Sequence, residues 1–474
     1  MGRPPRDKQP NTLLAHWMKR CGKSNNQLAR LVTERGAQQG ITGLATDESR
    51  VRDWLKGAVP RDPVPRLIVE VLSTATGMDL TPADLGLPGE CAPAGVRTPW
   101  DRTAALAALS QITRSEMMMP DTRTGPDAHV HSGRDLLEPL QHWAMAQPDN
   151  SAQPAARGGR MGLSDVEEIR QATTAFRDLD NRHGGVLSRT AVLAQTDAVL
   201  STLRTATYTE AVGRELFAAA ADLGSVAGWM SFDAGRHRAA QRMFVAALHA
   251  AAEGGDKRLG AHILQCMARQ MSHLGHYEDA LDLVALAQYG ARRHLSPAGT
   301  SMLAALEARF QAILGSTADS EAAASRALDA FNHVDSDAED PHMAFFDLAE
   351  LQATLGMAHQ IAAKHLDGTA RTIRVRSSTE LVEAALSSRP EHRRRSKAFD
   401  HLGLARTHLA GREVEGAALE TARCLELLGT FGSRRVADRL GELYEEAEPF
   451  AETAPGRDVR EQIHDRLSGN PARY

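Results

Sequence analysis

Apolar residues recur along this chain at the three-to-four spacing of helices that bury one face. Leu13, Leu14, Trp17, Met18 and Cys21 predict a first helix from Asn11 or Thr12 to Cys21, closed by Gly22. Ser24-Asn25-Asn26-Gln27 has capping-box spacing, and Leu28, Leu31 and Val32 form the stripe of a second helix ending near Gly36. Residues 37–46, rich in Gly, Gln and Thr, follow as a loop. That loop is longer than the tight turn of an ordinary helix-turn-helix. Residues 46–57 predict a third helix with Val51, Trp54 and Leu55 on its inner side. Ser49, Arg52, Asp53 and Lys56 point away from that side, Arg50 lies on the flank, and Gly57 supplies the C-cap. Past Pro60 and Arg61, Leu67, Ile68, Val71 and Leu72 mark a fourth helix. Thr81-Pro82 opens a short fifth one, 82–85.

The pattern then weakens. Residues 91–163 read as a partly disordered linker, with a modest helix over 100–112 and a local one over 136–145. Helical periodicity returns near Ser164 and carries a repeat. Gly235, Gly275 and Gly315 stand 40 residues apart, each at an expected helix-to-helix turn. From each glycine, small residues follow at +5 (Ala240, Ala280, Ser320). Apolar ones follow at +9 (Phe244, Val284, Ala324) and alanines at +12 (Ala247, Ala287, Ala327). Small residues let paired helices approach closely, and the glycine makes the turn. Gly411-Arg412 opens a last, degenerate unit, and Leu355-Gly356 is a weaker candidate for another, since the residues after it fit the repeat poorly. The expectation is an all-α chain: an N-terminal helix-turn-helix domain (1–90), a linker (91–163) and a tetratricopeptide-like α-superhelix (164–474). The superhelix should contain about five to seven helix pairs, built on helices longer than the usual 34-residue repeat allows.

Charge sharpens the division. Residues 1–66 hold 13 Lys and Arg against 6 Asp and Glu, a balance of +7, which leaves −12 for the rest of a chain of formal charge −5. A basic head on an acidic body suits a protein that grips a polyanion at one end. Cys21, Cys91, Cys266 and Cys424 stand far apart, suggesting neither a disulfide framework nor a zinc knuckle. No signal-peptide pattern and no apolar run of ~18 residues is visible, so a cytoplasmic protein is expected.

On this head, a polar, donor-rich face on an anchored helix is what major-groove reading needs. Arg50, Arg52 and Lys56 are the candidate base or phosphate contacts, Ser49 and Asp53 adjust sequence preference, and Arg61 meets the backbone. Gln27, at the start of the second helix, either clasps a phosphate or only caps. The arm Gly2-Arg3-Pro4-Pro5-Arg6 is either a minor-groove hook or a solvated terminus. Glu391-His392-Arg393-Arg394-Arg395-Ser396-Lys397 reads as a solvated helix start or as a holder of phosphates or an acidic partner. His237, His273 and His276, at repeat turns, read as surface or capping residues. His129 and His131 lack further ligands at metal spacing. With no Walker-type loop, HExxH or GxSxG motif, neither an enzyme, a cofactor nor a metal is expected.

The segment Arg50-Val51-Arg52-Asp53-Trp54-Leu55-Lys56-Gly57 with Pro60 resembles the S-V-x-x-W-L-x-G-x-x-P region of Xre/Cro-type helix-turn-helix regulators of actinobacteria, with Arg50 where Ser is usual. That group has a similar extended loop before the segment. Leu274-Gly275-His276-Tyr277-Glu278-Asp279-Ala280 resembles a tetratricopeptide centre. The tracts from Leu179 to Gly185 and from Ala227 to His237 are similar to the same group's body. The resemblance implies a transcriptional regulator, a repressor of development, sporulation and antibiotic biosynthesis. It also implies a homodimer on double-stranded DNA whose repeat domain receives a peptide, protein or small-molecule signal. The alternative is a peptide- or protein-binding adaptor whose repeat groove is the primary site.

Overall fold

The computed structural model describes residues 10–38, 41, 43–61, 63–76, 80, 82–87, 98–118, 130–148, 159–183, 185–428 and 434–468. The arm at residues 2–6, Cys91 and His129 lie outside them. Among the described residues the secondary structure is helical apart from one isolated bridge, Arg160 to Thr207. Among them no helix is long and apolar enough to cross a membrane. The chain forms two compact units, Met1–Gly95 with Ser110–Arg123, and Val96–Leu109 with Thr124–Tyr474.

The first unit is built on the stripes the sequence predicts. In α1 (Thr12–Arg20), Asn11 accepts from the Leu14 amide at 2.9 Å and donates to the Leu85 and Gly86 carbonyls. Trp17 is buried and donates its indole N–H to the Asp84 carbonyl at 3.1 Å. Helix α2 (Asn25–Gln38) opens with the reciprocal capping box: the Ser24 amide donates to Gln27 Oε1 and the Gln27 amide to Ser24 Oγ. It does not end at Gly36. That glycine lies buried within the helix, where a Cβ would come 2.6 Å from Leu44 Cδ2. Its role is to admit the side chain of Leu44, and the helix runs on to Gln38. Helix α3 (Glu48–Leu55) is capped by Asp47, which accepts from the Arg50 amide at 2.9 Å. Helix α4 (Val64–Thr76) follows. The predicted fifth helix is a single 3₁₀ turn, Ala83–Leu85. It stops there because Gly86 takes a left-handed φ of 61° and Asn11 captures the carbonyls that another turn would use. One core joins Leu14, Trp17, Leu28, Val32, Val51, Trp54, Leu67, Ile68, Leu72 and Leu85.

Helix α5 (Arg102–Met118) crosses the division between the units, and α6 (Arg134–Met145) belongs to the second. The sequence places α6 in a tether, yet it buries Leu136, Leu140 and Trp143. Its start is held by the Asp279 carboxylate, which accepts from the Gly133 amide at 2.8 and 2.9 Å. Its end is held by Lys257 Nζ, 2.6 Å from the Trp143 carbonyl. The ring of Trp143 enters a slot opened by two glycines: a Cβ would fall 2.5 Å from it at Gly260 and 2.3 Å at Gly290.

Seven successive helix pairs complete this unit among the described residues: α7 (Leu163–His183) with α8 (Gly185–Thr205), α9 (Glu210–Asp233) with α10 (His237–Gly254), α11 (Lys257–His273) with α12 (Tyr277–Ala291), α13 (Pro297–Ile313) with α14 (Thr317–Phe331), α15 (Leu348–Ala363) with α16 (Gly368–Ser388), α17 (Arg394–Gly411) with α18 (Val414–Leu428), and α19 (Arg434–Glu446) with α20 (Ala454–Ser468). They form the repeat-like superhelix of packed pairs. Gly235, Gly275 and Gly315 make three of its turns at φ of 73°, 85° and 81°. Ala240, Ala280, Ala247, Ala287 and Ala327 are fully buried, as are Phe244 and Val284. Phe244 lies against Gly228, where a Cβ would come within 2.7 Å of its ring. The third copy is thinner: Ser320 is buried through a hydroxyl that donates to the Ala308 carbonyl at 2.8 Å, and Ala324 is only half-buried. Gly356 marks no turn. It sits inside α15, where a Cβ would meet Val382 at 2.5 Å, and the turn falls later, at Gly368. At the α17–α18 turn the left-handed residue is Arg412, φ 63°, directly after Gly411.

Candidate nucleic-acid interface and an arginine-lined cavity

On α3, Val51 and Trp54 are buried in the head's core and Leu55 is half-buried. A helix seated that way turns Ser49, Arg52, Asp53 and Lys56 outward together. All four are exposed, as is Arg50 on the flank. The seat is tied at its end by the Asn11 amide, which donates to the Leu55 carbonyl at 2.9 Å. In front of it, the Thr46 amide donates to Thr33 Oγ1 at 3.1 Å and fixes the loop to α2. The cations differ in availability. Arg52 donates to Glu48 at 2.7 Å, an exposed i,i+4 pair worth about 0.3–0.5 kcal/mol and easily exchanged for a phosphate. Among the described residues the side chains of Arg50, Lys56 and Arg61 engage no carboxylate, and Arg61 is exposed beside buried Pro60. Gln27 is exposed, and its carboxamide oxygen is spent on the capping box. Only its amide nitrogen is left to meet a ligand.

The second unit holds a cavity of about 330 Å³. Its lining comes largely from the first helix of successive pairs, α7, α9, α11, α13, α15, α17 and α19, with α16 between. Eight arginines face it, and six of them are matched to carboxylates. Arg177 pairs with Asp222, and Arg439 with Glu442 at 2.7 Å. Arg389 pairs with Asp400 and with Glu350 at 3.1 Å, and Arg269 reaches Glu350 at 3.5 Å. Arg395 lies 2.8 Å from Asp180 and 3.2 Å from Asp233, while Arg435 takes the other oxygen of Asp233 at 3.3 Å. Arg435 also stacks over Trp229, Phe232 and Phe399, with 4.9, 5.4 and 5.0 Å to the ring centroids. Arg309 and Arg393 complete the eight. Arg309 makes no ion pair or hydrogen bond among the described residues, and its Nε is buried. Arg393 contacts only the Ala344 and Phe345 carbonyls, at 3.3 and 3.4 Å. A further carboxylate, Asp178, is exposed on the lining.

The environment biases these groups. Burial pushes the Asp400 carboxyl up to about 7, although Arg389 opposes the shift. Burial also works against Glu350, yet Arg389 and Arg269 hold it below the usual carboxylate range. Burial and the nearby charges of Arg439, Arg269 and Arg406 disfavour the cationic form of Arg309, and Glu442 opposes them in part. Burial pushes the Cys266 thiol up to about 12, so it is an inert wall residue rather than a nucleophile.

Two readings of the sequence need correction here. Arg395, placed in a solvated basic run, is buried, because Asp180 on α7 and Asp233 on α9 converge on its guanidinium. His237 and His273 are not surface caps. The His273 side chain is 5% exposed and bonds Asp438 at 3.2 Å, while His276 stands at an N-cap without a capping bond. His237, His273 and Asp438 place one ligand-type atom each within 4.8 Å of one another. Arg434 occupies the other Asp438 oxygen at 3.1 Å. Burial works against the Asp438 carboxylate, yet the bond from His273 and the charge of Arg434 keep it below its usual range. The cluster thus acts as a hydrogen-bonded link between α11 and α19. A sequence signal for the cavity did exist in part: Asp180, Asn181, Trp229, Phe232 and Asp233 all fall in the two tracts singled out for their resemblance.

Comparison with known proteins bears on the head alone. No curated protein matches the chain. Residues 14–88, the stretch that carries the core from Leu14 to Leu87, match the family described as the SP15 N-terminal domain.

Proposed function

We propose that this chain is a DNA-binding transcriptional regulator of the Xre/Cro helix-turn-helix kind. In this reading it is a cytoplasmic homodimer that represses development, sporulation and antibiotic biosynthesis. One observation carries the reading: α3 is locked to its core by Val51 and Trp54 and presents an outward face with Arg50 and Lys56 unpaired. On a duplex, Arg50, Arg52 and Lys56 meet base edges or phosphates, Ser49 and Asp53 discriminate among bases, and Arg61 holds the backbone. A two-fold dimer would read half-sites about one helical turn apart, or a multiple of it.

Chromatin immunoprecipitation followed by sequencing supplies the bound fragments, and fluorescence anisotropy on them supplies the test. The Arg52→Ala/Lys56→Ala variant should keep its circular dichroism and lose about two units from the slope of log affinity against log salt. Undiminished binding by that variant refutes the assignment. The repeat-like superhelix supports a second reading, an adaptor whose groove binds a peptide or protein first. Partner capture by the full chain, together with an absence of enriched genomic fragments, would replace the first reading with this one.

A further inference from the structure

A cavity in a repeat superhelix usually means only that paired helices splay. This one has a composition that splaying does not explain. Burying a guanidinium is costly unless it meets a counterion, and arginine does not escape the cost by losing its proton. Six of the eight lining arginines are arranged accordingly, each on one or two carboxylates. Asp222, Asp233 and Glu442 supply three of those carboxylates from behind the lining itself. Arg309 and Arg393, both half-buried residues on the same lining, meet no carboxylate among the described residues, and the Nε of Arg309 is itself buried. Arg309 sits on α13 near the charges of Arg439, Arg269 and Arg406, with Glu442 close enough to favour its cation but not to pair with it. Arg393, at the N-cap of α17, spends its donors on two long carbonyl contacts. Around them the wall is apolar and aromatic: Val226, Trp229, Phe345, Met357, Val382 and Phe399.

We propose that this cavity is a binding site for a small organic dianion, a phosphate monoester or a dicarboxylate, whose charges meet Arg309 and Arg393 and whose apolar part lies against the aromatic wall. Both anion types match the planar fork of a guanidinium. The space suits a small ligand and excludes a nucleic-acid duplex, since about 330 Å³ is at the lower end of ordinary small-molecule sites. The inference does not rest on DNA binding and survives its failure.

The test is isothermal titration of the full chain at low ionic strength with phenyl phosphate, phthalate, inorganic phosphate, neutral benzyl alcohol and a tetraglutamate peptide. Phenyl phosphate or phthalate should bind one to one, inorganic phosphate more weakly, and benzyl alcohol not at all. Phenyl phosphate ahead of phthalate identifies the phosphoryl class, and the reverse order the dicarboxylate class. Arg309→Met and Arg393→Met should each weaken binding about tenfold to a hundredfold, the worth of one charge-assisted contact. Exposed Arg376→Met should change nothing. Arg309→Lys, which keeps the charge and loses the fork, should fall between parent and Arg309→Met and guards against a folding failure. Absence of binding by both organic dianions at about 10 mM, where even a weak site fills, overturns the proposal. Parent-like binding by the two Met variants, or binding of tetraglutamate alone, overturns it as well.

Discussion

The docking of α6 makes a sharp demand on two glycines far from it in sequence. Trp143 is fully buried, and its ring fills the space that side chains at Gly260 and Gly290 would otherwise occupy. Removing the ring with Trp143→Ala should cost about 3–5 kcal/mol, the transfer and cavity cost of a buried tryptophan. Gly290→Ala alone should also destabilise. Its Cβ would come 2.3 Å from Trp143 Cζ3, a contact that the ring must yield to, at about 1–3 kcal/mol. In the double variant the sign of the second change reverses. With the ring gone the alanine fits, and at a position inside α12 alanine is favoured over glycine by about 1 kcal/mol. The double-mutant cycle should therefore show about 2–4 kcal/mol of coupling. Urea unfolding of the four proteins, followed by circular dichroism, measures it. Additive effects would mean that the ring does not occupy the slot and that 134–145 is a tether after all, as its surroundings in sequence suggest.

His249 gives a pH prediction. It is buried and stacked on Trp100, with centroids 3.7 Å apart, and burial lowers its pKa to about 4 from an ordinary 6.5. A histidine lowered in the folded state leaves stability intact above pH 6.5 and withdraws it as the unfolded chain protonates between 6.5 and about 4. Between pH 7 and pH 5 the loss is about 2 kcal/mol. It should show in the urea midpoint and vanish in His249→Gln, and a parent midpoint that ignores pH would refute the argument. At the α17–α18 turn, Arg412 holds a left-handed φ of 63° that suits glycine. Arg412→Gly should raise stability by about 0.5–1 kcal/mol, after glycine's added unfolded-state entropy, and a fall in the melting midpoint would count against it. Gly275→Ala, at φ 85° with open space around it, should lose about 1–2 kcal/mol through backbone strain alone. An unchanged midpoint there would show that the turn can relax.

Legibility in the sequence followed the reach of each interaction. The head was readable because its determinants are local: the Ser24–Gln27 box, the Val51–Trp54–Leu55 stripe and the glycine at 57 act within a turn or two of themselves. Its errors were local as well. Gly36 looked like a stop, and only the leucine of the following loop reveals it as a helix residue that makes room. The repeat glycines were readable because a left-handed turn must be renewed every 40 residues. Gly356 misled by lying mid-helix, where it serves close packing on Val382. Helix α6 shows where locality ends. Leu136, Leu140 and Trp143 form a visible stripe, but what makes it a docked helix is a pair of glycines in α11 and α12 and an aspartate at 279.

The cavity is the extreme case. A run such as Arg393-Arg394-Arg395 is a solvated face by default, because an arginine is stable in water and costly in an apolar interior. Nothing within reach along the chain tells these three apart. Arg394 stays exposed; Arg395 is buried because α7 and α9 bring it two carboxylates; Arg393 reaches the cavity with none. The decisive quantity is which arginine lacks a partner after the helices have met. That is a difference between counts of charges contributed by eight helices, and it exists only once they are assembled. It is also where function is expected to concentrate. A fold that pairs six guanidiniums so closely leaves Arg309 and Arg393 without a carboxylate, and on the proposal above a bound dianion completes the balance there.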